Sequence, residues 1–126
     1  MSRRPLALVI DDSDDTRDLY AVMLRLGGFA AEEARDGQEG VAKAVECLPA
    51  IIVTDLSMPI IDGCETIGHL KADACRHHIP IIACSGLDLR HETRECSADA
   101  VLTKPCPADQ LLLDVRALLR RGAAAA

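Results

Sequence analysis

The sequence predicts an α/β domain, a doubly wound parallel sheet covered by helices on both sides. Three observations lead there. Short, mainly apolar runs of four to six residues recur at Leu6–Ile10, Ile51–Thr54, Ile79–Cys84 and Ala100–Thr103, and such runs suit strands buried on both faces. Amphipathic stretches of helical period separate them. The 126 residues, 49% hydrophobic and 27% charged, make one domain with enough core to fold without disulfides. Strands alternating with helices in this way imply right-handed crossovers and a sheet covered on both sides.

The elements follow in order. After the first strand, Leu19, Val22, Met23 and Leu26 repeat at helical spacing and stop at Gly27-Gly28, a glycine cap. Phe29 to Ala34 reads as a weaker second strand near an edge. Asp36 and Glu39 are spaced as an N-cap and its reciprocal partner before Val41, Val45 and Leu48, and Pro49 ends that helix. The third strand is Ile51–Thr54. Asp62 and Glu65 repeat the capping spacing before Ile67 and Leu70. Between the fourth and fifth strands, residues 86–95 are weakly helical, with little apolar face beyond Leu87. The last helix has Pro107 at its start, a stripe of Leu111, Leu112, Val115, Leu118 and Leu119, and a stop at Arg120-Arg121-Gly122. The folded domain is therefore expected to span residues 5–121, and residues 122–126 to form a disordered tail.

Charge and cysteine usage exclude several function classes. Lys plus Arg number 14 against 20 Asp plus Glu, the net charge is -6, and Tyr20 and Phe29 are the two aromatics. Neither a cationic surface nor stacking platforms follow from that composition, so no nucleic-acid partner is expected. The six cysteines, Cys47, Cys64, Cys75, Cys84, Cys96 and Cys106, lie at least nine positions apart. No C-x-x-C pair exists to bind zinc or exchange thiols, and buried free thiols are expected. Ser2-Arg3-Arg4-Pro5 leads into an apolar run of five residues, which is no secretory signal. No run approaches the ~20 residues that cross a bilayer. The expectation is a cytoplasmic protein with no membrane partner.

Open α/β sheets bind ligands beyond the carboxyl ends of their strands, where strand order reverses. Asp11 and Asp12 follow the first strand, and Asp55 follows the third. In a flavodoxin-like (βα)5 sheet of order 2-1-3-4-5 those strands are neighbours, and three carboxylates converge. Two carboxylates about 5 Å apart repel by roughly 3 kcal/mol at an effective dielectric of 20, so the cluster calls for a cation. An all-oxygen site with room for water suits Mg²⁺. The alternative reading has Asp12 to Asp15 serving the first helix N-terminus, and Asp14 and Asp15 are assigned to that role. Ser85 and Lys104 stand at the ends of the fourth and fifth strands. Singly they read as a helix cap and a solvated charge. Together with a carboxylate-bound metal, a hydroxyl and an ammonium can stabilise a phosphoryl group in transfer.

Val9-Ile10-Asp11-Asp12-Ser13, Val53-Thr54-Asp55-Leu56-Ser57-Met58-Pro59-Ile60-Ile61-Asp62-Gly63, Cys84-Ser85-Gly86 and Leu102-Thr103-Lys104-Pro105 closely resemble the receiver (CheY-like) domain of two-component response regulators. The resemblance runs from about Leu6 to Leu119 with the motifs in order. It implies that Asp55 accepts a phosphoryl group from a sensor histidine kinase or a histidine phosphotransfer protein. It implies that Asp11, Asp12, Asp55 and the Ser57 carbonyl hold Mg²⁺, that the Ser85 hydroxyl moves onto the phosphoryl group, and that Lys104 pairs with it across a Lys104-Pro105 bond that is usually cis. Such a chain is a signalling phosphoacceptor and no enzyme acting on a separate substrate. It catalyses its own Mg²⁺-dependent phosphorylation and slow dephosphorylation and switches the binding of an output protein or domain.

Two positions depart from the family pattern. Val101 stands where the family commonly has Tyr or Phe, and Cys106 where it commonly has Phe, so an aromatic readout is missing or altered. A related phosphohydrolase would carry a second Asp two residues after the nucleophile, where this chain has Ser57. The complete set of Asp11, Asp12, Asp55, Ser85 and Lys104 argues against a receiver that works without phosphorylation. His91-Glu92 lacks the second histidine of a zinc protease motif, and His77-His78 is read as inert loop. No output domain follows Leu119, which leaves a stand-alone regulator and a receiver of a longer protein both open.

Overall fold

The computed structural model describes residues 4–55, 68–70, 72, 79–85, 98–103 and 106–125. Within them β1 (Leu6–Ile10), β2 (Ala30–Ala34), β3 (Ile51–Asp55), β4 (Ile81–Ser85) and β5 (Ala100–Thr103) form one sheet. All four strand pairings are parallel, in the order β2-β1-β3-β4-β5. This is the expected flavodoxin-like order, with the polar Ala30–Ala34 strand at one edge.

The apolar runs account for the two-faced core. Pleating sends alternate side chains to opposite faces. Ala7, Val9, Ile51, Val53, Ile82, Cys84 and Leu102 share one cluster with Tyr20, Leu24, Leu111 and Val115. Leu8, Ile10, Ile52, Ile81 and Ala83 share the other with Ala44 and Leu70. Helix α1 (Asp14–Leu26) and the last helix (Ala108–Ala125) thus cover the first face, and α2 (Gly37–Cys47) the second.

Helix boundaries follow local chemistry. Ser13 caps α1, its hydroxyl accepting the Thr16 N–H at 3.3 Å, and Asp14 and Asp15 occupy the first turn. Gly27 closes the helix, and Gly28 takes a φ of 99°, a conformation open to glycine. The Phe29 N–H then bonds the Leu24 carbonyl at 3.0 Å. That bond belongs to the helix end, so β2 starts at Ala30, one residue later than expected. Asp36 caps α2 by accepting the Glu39 N–H at 2.9 Å, and Leu48 ends it in the left-handed region before Pro49.

One boundary differs more. The last helix passes Arg121 and Gly122 and continues to Ala125, whereas a disordered tail was expected for residues 122–126. A single glycine costs about 1 kcal/mol in a helix, and the alanines after it are the best helix formers. The expected cap at Asp62 and Glu65, the weak helix at 86–95, His77, His78 and His91 lie outside the described residues. Cys84 and Cys106 are buried and Cys47 is half-buried. Among the described residues no helix is long and apolar enough to cross a membrane.

Candidate functional site

β1 and β3 run side by side with Ile10 opposite Thr54. The next residue of each strand is an aspartate, so the register alone sets Asp11 beside Asp55. Both are buried. The Asp11 N–H donates to the Ala34 carbonyl at 3.1 Å, which extends the β1–β2 ladder to the mouth of the site. One oxygen of the Asp11 carboxylate accepts the Ser13 N–H at 2.9 Å. Asp12 adds an exposed carboxylate, and one ligand oxygen from each of Asp11, Asp12 and Asp55 lies within 4.8 Å of the others. This is the point where strand order reverses, β1 leading outward to β2 and β3 leading outward to β4, the switch point of a doubly wound fold.

The donor set fits a hard divalent cation. Three carboxylates, two of them buried and one exposed, offer oxygen alone, the donor type that suits Mg²⁺, an ion that keeps several of its waters. Without a cation, Asp11 and Asp55 at this separation repel by on the order of 3 kcal/mol at an effective dielectric of 20.

Two residues that sequence reasoning passed over support the cluster. Arg17, one turn into α1 and 9% exposed, donates to the Asp11 carbonyl at 3.0 Å, to Glu33 of β2 at 3.3 Å and to Asp14. Burial works against its charge, but the hydrogen bond and charge of Asp14 and the charge of Glu33 outweigh it and raise the guanidinium pKa. Asp14 therefore serves Arg17 as well as the helix N-terminus. The signal was the i, i+3 spacing of Asp14 and Arg17, which is common on exposed helices and carries no mark of burial. Tyr20, one turn further along, is buried. Its phenol pKa is raised, first by burial and then by Cys84, Cys106 and Asp11 nearby, although a hydrogen bond from the Cys106 backbone pulls the other way.

The structure brings Asp11, Asp12 and Asp55 together as expected. Ser85 closes β4, opposite Thr103 of β5. Its side chain, Ser57, Lys104 and Pro105 lie outside the described residues. Of the two departures, Val101 is 43% exposed and Cys106 is buried in the core. Burial also pushes the Cys106 thiol pKa up, with Asp114 and Asp109 adding to it. Its sulfur donates to the Pro107 carbonyl at 3.5 Å.

Residues 7–116 match the family described as the response regulator receiver domain. The chain is 35% identical over 120 residues to the DNA-binding dual master transcriptional regulator RpaA of Synechocystis sp., covering 93% of this chain and 50% of RpaA. It is 38% identical over 125 residues to the transcriptional regulatory protein PrrA of Mycobacterium leprae, covering 97% of this chain and 53% of PrrA. The chain thus spans about half the length of these relatives. Among solved structures it resembles the receiver domain of Francisella response regulator 1452, with a TM-score of 0.83, 28% identity and coverage of 94% and 98% of the two chains. The CheY-like receiver protein of Methanospirillum hungatei has a TM-score of 0.86, 24% identity and coverage of 98% and 100%, a likeness of fold.

Proposed function

The chain belongs to the response regulator receiver domain family, and from that premise we propose that it is a phosphoacceptor that takes a phosphoryl group onto Asp55 from a phosphohistidine donor. The observation that carries the reading is the buried Asp55 carboxylate at the end of β3, with oxygens of Asp11 and Asp12 within 4.8 Å. Asp11, Asp12 and Asp55 would hold Mg²⁺, joined by the Ser57 carbonyl on the family pattern. Mg²⁺ when bound neutralises charge on the phosphoryl oxygens as they are transferred. Asp55, paired with Cys84 in the ladder to β4, would attack phosphorus with a carboxylate oxygen in line with the bond to the donor imidazole. The new acyl phosphate forms as that bond breaks, and the imidazole leaves. Ser85 and Lys104 are assigned to the phosphoryl oxygens from their place after β4 and β5. The same groups then support slow self-dephosphorylation by water.

The partners follow from the chemistry. The donor is a sensor histidine kinase or a histidine phosphotransfer protein, and the phosphorylated form changes its binding to an output protein or domain. This chain is assigned to the cytoplasm. Composition argues against nucleic acid on these 126 residues, with a net charge of -6. That argument does not extend to a longer protein, since RpaA is described as DNA-binding and this chain spans half of it. The receiver unit is taken as residues 5–121, with the helix running on to Ala125.

Acetyl phosphate with Mg²⁺ should add one base-labile phosphoryl group, and Asp55→Asn should abolish it while leaving the circular dichroism spectrum unchanged. Persistence of the modification in that variant would move the acceptor elsewhere.

A further inference from the structure

Arg17 takes no part in phosphoryl transfer as described, yet one of its bonds ends between two of the clustered carboxylates. Its Nη1 donates to the Asp11 carbonyl at 3.0 Å, a buried contact. That carbonyl belongs to the peptide joining Asp11 to Asp12. A peptide is planar and turns as one body, so the orientation of this unit sets where the Asp12 carboxylate stands relative to that of Asp11. One hydrogen bond therefore bears on two candidate ligands.

The rest of Asp11 is held as well. Its N–H donates to the Ala34 carbonyl at 3.1 Å, which fixes the peptide before it, and its carboxylate accepts the Ser13 N–H at 2.9 Å. The Arg17 bond acts on the peptide after it. The guanidinium is anchored in turn, since Nε donates to Glu33 of β2 at 3.3 Å and Nη2 to Asp14, while the Arg17 N–H bonds the Ser13 carbonyl at 2.9 Å in the first turn of α1. Charge alone would act against the site: a cation beside bound Mg²⁺ repels it, and removing that cation should tighten binding. Position and charge thus predict opposite signs.

We propose that Arg17 is a positioning residue for Mg²⁺ binding: by holding the Asp11–Asp12 peptide it sets their two carboxylates where, with Asp55, they can share one ion. The inference rests on the metal-dependent function proposed above.

The test reads Mg²⁺ affinity by calorimetry for the wild-type, Arg17→Met, Arg17→Lys and Val115→Ala proteins. Groups that orient metal ligands contribute roughly ten- to hundredfold in affinity, so Arg17→Met should bind about tenfold more weakly although it has lost a positive charge. Arg17→Lys keeps the charge without the planar fork, and should bind at least about threefold more weakly. Val115, fully buried on the last helix, serves as the control: its truncation lowers stability without touching the Asp11 peptide and should leave affinity within about twofold. Unchanged or tighter binding in Arg17→Met would mean that the side chain acts through charge or not at all, and would overturn the proposal. A loss in Val115→Ala equal to that in Arg17→Met would also overturn it, because instability alone would then explain both. Should Arg17→Met fail to fold, Arg17→Lys decides, and wild-type affinity there overturns the proposal. A wild-type protein that takes up no Mg²⁺ at millimolar concentration removes the metal site itself, a result read before any variant is made.

Discussion

A guanidinium with 10% of its side chain exposed is stable only where its donors are used. Arg17 uses them on three acceptors that belong to three different segments: the Asp11 carbonyl at the end of β1, Asp14 at the start of α1, and Glu33 on β2. Asp14 is itself exposed, so its ion pair adds little, as surface pairs do. The bond to the Asp11 carbonyl is buried, and a charged donor there is worth about 1.5–3 kcal/mol. Arg17→Met keeps most of the apolar stem and removes the donors, and should lower unfolding stability by roughly 2 kcal/mol. Arg17→Lys should recover only part of the loss, because an ammonium cannot reproduce the planar fork. Urea unfolding of the three proteins decides this, and a wild-type midpoint for Arg17→Met would leave the residue without a structural role.

At the scale of elements, α2 lies against β1 because residue 40 has no side chain. A Cβ at Gly40 would sit 2.4 Å from Ile10 Cδ1 and 2.8 Å from its Cγ1, and Ile10 is itself 1% exposed with nowhere to retreat. In an open helix, Gly to Ala gains about 1 kcal/mol. Here overpacking of about 1–3 kcal/mol opposes that gain, so Gly40→Ala should be net destabilising. Adding Ile10→Val, which removes Cδ1, should restore part of the loss in a double-mutant cycle, and additive effects would show that the two residues do not compete for space. This contact was not legible in the sequence, where Gly40 looks like an ordinary weak helix position. The strands and caps were legible because they depend on local pattern: mainly apolar runs for β1, β3 and β4, and Asp36 three residues before Glu39 for α2. Asp11, Asp12 and Asp55 were legible because strand order converts sequence position into proximity. Arg17 and Tyr20 were not, since a charged side chain and a phenol on a helix reveal their burial only once the neighbouring helix and loop are in place. The end of the last helix was misread at Gly122 by weighting one glycine over the alanines that follow.

At the scale of the whole molecule, folding gathers like charges that the unfolded chain keeps apart. The net charge is already -6, and the parallel register of β1 and β3 draws Asp11 and Asp55 into a buried pair, with Asp12 beside them. Their mutual repulsion arises on folding, and a cation bound among them would offset it. Mg²⁺ that binds only the folded form should stabilise it by RT ln(1 + [Mg²⁺]/Kd), about 2.7 kcal/mol at a hundredfold excess over Kd. For a chain of this size that is a rise in Tm of roughly 8–16 °C. Monovalent salt should do much less, because a buried pair is poorly screened. Asp55→Asn removes one of the two buried charges, and should therefore be more stable than the wild-type protein in EDTA by on the order of 1–3 kcal/mol, while gaining less from Mg²⁺. The two effects have opposite signs with and without metal, which ordinary loss of packing cannot produce. Thermal melts of both proteins in EDTA and across a Mg²⁺ titration provide the check: a wild-type Tm indifferent to Mg²⁺, or an Asp55→Asn protein that melts lower in EDTA, would mean that the carboxylates are not held together at the expense of the fold.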